Sequence, residues 1–296
     1  MTVESPTPQS RFAPEPLTLG RGRRLSFDRT LVMAVVNVTP DSFFAASRAP
    51  DTEAAVERAL ADVADGADII DVGGESTRPG SEPVPADVES QRVVPVIEGI
   101  RKHSAVAISV DTSKFEVARA ALDVGADIVN DVTGLSDRKL GELIAARGAA
   151  CVLMHMRGDP RTMQEQARYH DVVLEVKAEL GARIAAAKRA GIPTNRQWLD
   201  PGIGFAKKPY HNLELLRRLE EFQVFERPLL IGVSRKSFLG AILDEPDPER
   251  RLEGSLAAAV AAALKGAHIV RVHDVACTAR ALRVVDAIQA PERFTI

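Results

Sequence analysis

Apolar residues along this chain fall in two alternating patterns, short runs of strand length and longer stretches in which apolar positions recur at helical spacing. Eight runs read as strands: Leu31–Val38, Asp68–Val72, Val106–Val110, Asp127–Asn130, Ala150–His155, Trp198–Leu199 with its neighbours, Pro228–Val233 and His268–Val272. Eight stretches read as helices: Thr52–Ala64, Ala86–Lys102, Lys114–Val124, Arg138–Arg147, Val172–Ala190, Asn212–Glu221, Pro248–Lys265 and Ala276–Ile288. The strand runs are too continuously apolar to leave one face in water, which points to a parallel sheet covered by helices.

Such a sheet either closes into a barrel or stays open, and the polar residues at the ends of the runs separate the two. An open sheet gathers ligands at its switch point, whereas a barrel gathers them at the ring of strand C-terminal ends. Nearly every run here ends in polar residues: Asn37, Asp71 ahead of Gly73-Gly74-Glu75-Ser76, Asp111, Asn130, His155, Asp200, Ser234-Arg235-Lys236 and Arg271-Val272-His273. Only a barrel brings them to one mouth, so the predicted fold is α/β, a (β/α)8 TIM barrel. The recurring steps Gly66-Ala67-Asp68, Gly125-Ala126-Asp127 and Gly266-Ala267-His268 mark the opposite end, with glycine as helix C-cap before the next strand.

Ahead of the barrel, Leu17–Leu19 and Leu25–Phe27 flank the turn Gly20–Arg24 and read as a short N-terminal hairpin. Residues 1–16, rich in Pro, Ser and Thr, read as a disordered N-terminal tail without the apolar core of a secretory signal. The expected organisation is therefore a tail, 1–16, and one catalytic domain, 17–296. Composition adds exclusions. With 38 Lys and Arg against 41 Asp and Glu, a net charge of −3 and no basic block, a nucleic-acid or membrane-surface partner is not expected. The most Ala-rich stretch, Leu256–Leu264, is about half of the ~20 apolar residues that a transmembrane helix needs. Cys151 and Cys277 lack CxxC spacing, which argues against a disulfide framework or cysteine zinc site and fits a reducing cytoplasm. A dinucleotide fingerprint, a Gly-x-Ser-x-Gly elbow and an HExxH helix are all missing.

One strand-end acid reads as a helix N-cap as readily as a ligand group. Asp111, Asn130 and Asp200 in one mouth read instead as partners for the polar edge of a small flat heterocycle. Lys236 directly follows the apolar run Leu229–Val233, so its ammonium reaches the same mouth, with a structural ion pair as the alternative. Arg271 and His273, two residues apart on the last strand, face one side. A guanidinium beside an imidazole suits phosphate. Asn37 stands on the neighbouring first strand, and the three together suit an anion with its Mg²⁺, a metal that keeps phosphate and water oxygens around few protein ligands. His155 reads as a structural histidine. The segments Thr39–Phe43 and Gly73–Ser81, rich in Gly, Pro and Ser, read as loops that close over the mouth.

Five segments in order, from about Leu31 to Ile288, resemble the motifs of the dihydropteroate synthase family: Asn37-Val38-Thr39-Pro40-Asp41-Ser42-Phe43, Asp71-Val72-Gly73-Gly74-Glu75-Ser76-Thr77-Arg78-Pro79-Gly80, Asp200-Pro201-Gly202-Ile203-Gly204-Phe205, Ser234-Arg235-Lys236-Ser237-Phe238 and Arg271-Val272-His273-Asp274. The resemblance implies a barrel enzyme of folate biosynthesis that joins p-aminobenzoate to 6-hydroxymethyl-7,8-dihydropterin diphosphate, forming 7,8-dihydropteroate and diphosphate. It implies that Asp111, Asn130, Asp200 and Lys236 hold the pterin in a slot lined by Met154, Phe205 and Gly232. Asn37, Arg78, Arg271 and His273 would bind the diphosphate, with Asn37 on Mg²⁺. Phe43, Ser76, Thr77, Arg78, Pro79 and Ser237 would meet p-aminobenzoate, where sulfonamides would compete. The catalytic set so implied is Asn37, Asp200, Lys236, Arg271 and His273, in a cytoplasmic homodimer joined through outer helices late in the barrel. One departure stands out: after Phe43 the family continues with a Ser-Asp-Gly-Gly-like stretch, whereas this chain has Phe44-Ala45-Ala46-Ser47-Arg48. That bears on closure of the first loop and on efficiency. A non-catalytic pterin-binding paralogue and a methyltransferase domain of the methyltetrahydrofolate kind are the alternative readings; Lys236, Arg271 and His273 argue against the second.

Overall fold

The computed structural model describes residues 12–38, 48–77 and 80–293, with backbone only for residues 21, 48–51 and 293. Two short strands, β1 (Leu17–Thr18) and β2 (Arg24–Leu25), form the expected antiparallel hairpin. Eight more follow: β3 (Leu31–Asn37), β4 (Ile69–Gly73), β5 (Ala107–Asp111), β6 (Ile128–Asp131), β7 (Ala150–Met154), β8 (Gln197–Asp200), β9 (Leu230–Gly232) and β10 (Ile269–Val272). They pair in parallel in the order β8-β7-β6-β5-β4-β3-β10-β9. A parallel bridge between Leu199 and Leu229, with the Leu199 N–H donating to the Pro228 carbonyl at 2.8 Å, joins the two ends of that order. The sheet is a barrel, not an open layer.

Helices cover it outside: α1 (Arg48–Ala64), α2 (Ala86–His103), α3 (Phe115–Val124), α4 (Arg138–Arg147), α5 (Val172–Arg189), α6 (Pro209–Arg217), α7 (Ser237–Leu243), α8 (Leu252–Leu264) and α9 (Val275–Gln289). The expectation of eight helices is corrected here, because α7 makes a ninth among the described residues. Seven residues are too few to show helical periodicity, so α7 left no pattern to find. The expected helix Asn212–Glu221 is also divided, with α6 ending at Arg217 and a 3₁₀ segment running Leu219–Phe225.

Alternation along each strand divides the core in two. Val32, Ala34, Val36, Ile70, Val72, Ile108 and Val110 pack outward against the helices. Leu31, Met33, Ile69, Ala107, Ile128, Trp198, Leu230 and Ile269 fill the barrel's lower interior, where Leu17, Leu25 and Phe27 of the hairpin segment plug it. Phe27 meets Trp198 edge to face with centroids 5.9 Å apart.

The repeated glycine steps have a second use at this end. Gly125 caps α3 at φ 117°, as expected. The residue that closes each step then grips the neighbouring strand twice. Asp68 donates its N–H to the Val32 carbonyl and accepts the Val32 N–H on its carboxylate, both at 2.9 Å. Asp127 does the same with Ile108, at 2.8 and 3.1 Å. His268 repeats it with Leu229, at 2.9 and 3.0 Å. These polar side chains satisfy an N–H at the start of a buried strand, which would otherwise cost its desolvation.

Phe12, expected to belong to the tail, is held against the barrel instead. Phe12 donates its N–H to Gln223 Oε1 at 3.1 Å, and its carbonyl lies 2.9 Å from His268 Nε2, so the chain is already tied to the barrel floor there. Residues 1–11 lie outside the described residues, as do 39–47, which include Phe43 and most of the atypical first-loop stretch Phe44–Arg48.

Candidate active site

The alternation that fills the lower barrel continues to its upper rim. Asn37, Asp71, Gly73, Asp111, Asn130, Met154, Asp200, Gly232 and Arg271 each lie an even number of positions from an inward-packed residue of their own strand, and therefore face the barrel axis. Asn37, Gly73, Asp111 and Asn130 are successive register partners across β3, β4, β5 and β6, and Arg271 pairs with Gly232. These strand-end residues chosen from sequence thus converge, whereas His155, one position past inward-facing Met154, does not join them.

Arg271 is the centre of the charged side. Its Nε donates to Asp71 Oδ2 at 2.6 Å and its Nη2 to Asp111 Oδ2 at 2.7 Å. Asn130 Nδ2 donates to the same Asp71 oxygen at 3.1 Å. Burial pushes the Asp111 carboxyl well above its ordinary range, and the Arg271 charge opposes that rise. Asp71 belongs to the site although sequence reasoning gave it no role. Its signal was there, a carboxylate between Ile70 and Val72 in a run otherwise apolar.

His273 lies just past β10. Its backbone N–H donates to Ser234 Oγ at 3.2 Å, and its Nδ1 is 3.0 Å from the same oxygen. The Ser234 hydroxyl can donate to Nδ1 while its oxygen accepts the backbone N–H, and in that tautomer Nε2 carries the ring hydrogen as a donor. Burial, with the Arg271 and Arg235 charges, pulls its pKa down to about 3, so the ring is neutral at pH 7.

Beyond β9, on β8, Asp200 Oδ1 accepts the Gly202 N–H at 2.7 Å. Burial raises the Asp200 pKa, while that hydrogen bond and the charges of Lys236, Lys207 and Arg271 hold it down. Gly202 has φ 71°, and a Cβ there would overlap the His155 carbonyl oxygen. Beyond it, the Phe205 ring carries Lys236 Nζ over its face, 4.3 Å from the centroid. Met154, Val132, Met156, Met163 and Ala206 form the apolar cluster against which Phe205 packs. An anionic edge, a cation and an apolar wall are what a flat polar heterocycle requires.

Ser76 and Thr77 follow β4, half-buried, and the base of their loop is anchored: Lys114 pairs with both Glu75 and the buried Glu89, and Arg92 donates to the Gly74 carbonyl at 2.7 Å. Ser237 is exposed at the first turn of α7, next to Lys236. Arg78 and Pro79 lie outside the described residues. Among the described residues no group of three His, Cys, Asp or Glu side chains is placed to hold a metal. What the mouth offers a cation is the Asn37 amide oxygen beside Gly73, whose missing side chain leaves the space between Asn37 Oδ1 and Asp111 open: a Cβ there would stand 3.6 Å from Asn37 Oδ1 and 3.9 Å from Asp111 Oδ2. One amide oxygen with phosphate and water oxygens is a donor set that suits Mg²⁺.

His155 is buried between Glu179 Oε2, 2.9 Å from its Nε2, and Lys207 Nζ, 3.0 Å from its Nδ1. That matches its reading as structural; Lys207 went unnoticed, since a lysine after a glycine-rich loop reads as solvated.

With this geometry in view, the chain's relatives can be placed beside it. The family model described as pterin binding enzyme matches residues 33–273. The dihydropteroate synthase of Escherichia coli (strain K12) is 49% identical over 267 residues, covering 90% of this chain and 94% of that protein. The structure of Xanthomonas albilineans dihydropteroate synthase with 4-aminobenzoic acid superimposes with a TM-score of 0.88 at 44% identity, covering 94% of this chain and 99% of that one. A structure of the Xanthomonas albilineans enzyme in complex with 7,8-dihydropteroate gives 0.85 at 42%, covering 93% and 99%.

Proposed function

Since the chain belongs to the pterin-binding enzymes, in the dihydropteroate synthase family, we propose that the residues at its barrel mouth divide the work of that reaction among them. The enzyme joins p-aminobenzoate to 6-hydroxymethyl-7,8-dihydropterin diphosphate and makes 7,8-dihydropteroate for folate biosynthesis. The observation that carries the division is the order of charge around the mouth, with Arg271 held by Asp71 and Asp111, neutral His273 just past the same strand, and the buried Asp200 carboxylate two strands away on β8.

In this reading Asp111, Asn130, Asp200 and Lys236 take the hydrogen-bonding edge of the pterin, and Met154, Phe205 and Gly232 line its slot. Asp71 and Asp111 keep Arg271 charged and oriented toward the mouth. Arg271, the Nε2–H of His273, Asn37 and Arg78 hold the diphosphate. The bond from the pterin methylene carbon to the diphosphate oxygen breaks first, its electron pair leaving with diphosphate. Positive charge then develops at that carbon, and the Asp200 anion lowers its energy in a site withdrawn from water. The amine of p-aminobenzoate, placed by Ser76, Thr77 and Ser237 with Phe43, Arg78 and Pro79, forms the new C–N bond and loses a proton. No enzyme nucleophile is needed. Asn37 would hold Mg²⁺, which when bound neutralises charge on the leaving diphosphate. Sulfonamides, aryl amines of similar outline, would compete at the p-aminobenzoate end.

Two further readings belong with this one. Exposed apolar side chains on the late outer helices, Tyr210 and Leu213 of α6, Ile242 and Leu243 of α7 and Leu264 of α8, support a homodimer through that face. No helix among the described residues is long and apolar enough to cross a membrane, and the cytoplasm is the expected compartment. The test of the assignment is to mix the whole protein with Mg²⁺, the pterin diphosphate and p-aminobenzoate. Dihydropteroate, followed by mass, and diphosphate should appear together and only when all three are present. Pterin diphosphate binding without product would instead favour a non-catalytic paralogue.

A further inference from the structure

Behind the pterin side of the mouth lies a buried polar chain that the reaction above does not use. Lys207 is 3% exposed, and its Nζ donates to the Phe205 carbonyl at 2.9 Å and lies 3.0 Å from His155 Nδ1. A Cβ built on Gly202 would stand 3.4 Å from the same nitrogen, so the ammonium rests against the turn whose N–H binds Asp200 Oδ1. His155 is tied in turn to Glu179 of α5, and Glu179 to Arg157, whose guanidinium sits 4.0 Å from the Tyr169 ring centroid. Lys207 therefore joins three things: the Asp200–Phe205 turn, the end of β7, and the outer helix α5.

We propose that Lys207 is a positioning residue for the pterin site, holding the Asp200–Phe205 turn in place and supplying from behind the positive charge that keeps the Asp200 carboxylate an anion toward the pterin. The inference rests on the reading of Asp200 as a pterin ligand. A buried ammonium with two neutral acceptors is costly, and such a cost is sustained where the charge acts on a neighbour. Asp200 is that neighbour. Burial draws the Lys207 pKa down to about 7, and Asp200 is the foremost charge opposing the fall. The groups facing Asp200 are Lys207, Lys236 from the N-terminus of α7 and Arg271 from β10. Those facing Lys207 are Asp200, His155, Arg157 and, from α5, Glu179 and Arg183.

Lys207→Gln removes the charge and keeps a donor for the Phe205 carbonyl. At pH 6, where Lys207 is protonated, the KM for pterin diphosphate should rise about tenfold in this variant while that for p-aminobenzoate stays put, and the difference should close above pH 8. The acid limb of kcat/KM for pterin diphosphate should move up by about one pH unit, since Asp200 then protonates more easily. His155→Gln leaves the lysine charge in place and should keep the acid limb where it is in the wild type. A KM difference of the same size at every pH with an unmoved acid limb, or loss of the fold in Lys207→Gln by circular dichroism, would reduce Lys207 to a structural part and overturn the inference. If the wild type itself made no dihydropteroate, the reading of the whole mouth would fail first; a working wild type with an indifferent Lys207→Gln fails this inference alone.

Discussion

His155 is fully buried, and its burial together with the nearby Lys207 charge pulls its pKa down to about 4. In the unfolded chain the same ring takes up a proton near pH 6.5. Between those values the unfolded state binds a proton that the folded state refuses, so this residue's contribution is whole above pH 6.5 and is lost as pH falls toward 4. Urea denaturation of the wild type and His155→Gln should show it. The stability advantage of the wild type should shrink by about 3 kcal/mol from pH 7 to pH 4. A constant difference would mean that the ring titrates normally. At this scale sequence reasoning placed Asn37, Asp111, Asn130, Asp200 and Arg271 at the mouth, because the direction of a side chain follows from its place on a strand. It brought Asp71 to the mouth without a role and passed over Lys207, because what they do depends on partners far along the chain, Arg271 for one and His155 for the other.

The hairpin and the barrel floor form one unit at the scale of elements. Leu17, Leu25 and Phe27 close the lower interior over Trp198 and Met33, at the end opposite the mouth. Phe27→Ala should cost about 3 kcal/mol in chemical denaturation, because the cavity it leaves is walled by strands that cannot collapse into it. The KM values for both substrates should stay unchanged, since Phe27 packs against Trp198 at the end of the barrel opposite the mouth. A rise in either KM would show that the floor sets the geometry of the rim. The two-pronged grips of Asp68, Asp127 and His268 on their neighbouring strands explain why the glycine steps recur with a polar third residue. The repeat was visible in sequence, but its reading as a capping turn captured only the glycine.

For the whole molecule, the exposed apolar face of α6, α7 and α8 predicts association. Light scattering on the eluting protein should return twice the 31.9 kDa chain mass at micromolar concentration, and Leu213→Glu with Ile242→Glu should return the single mass with the fold intact. A wild-type monomer would leave that face without its proposed use. Alternation every second residue is a local property, so the chain by itself determined the eight barrel strands, their inward face and the polar residues at the rim. Helical periodicity is nearly as local and determined the longer helices, while seven-residue α7 fell below the length at which a period shows. Tertiary structure decided the rest. Which rim groups pair, as Arg271 does with Asp71 and Asp111 across 200 and 160 residues of chain, follows from β10 returning beside β3 when the barrel closes. Which charges lie in low dielectric behind the rim, as Lys207 does, follows from the packing of α5 against β7 and β8. Both are consequences of closure, and no local pattern carries them.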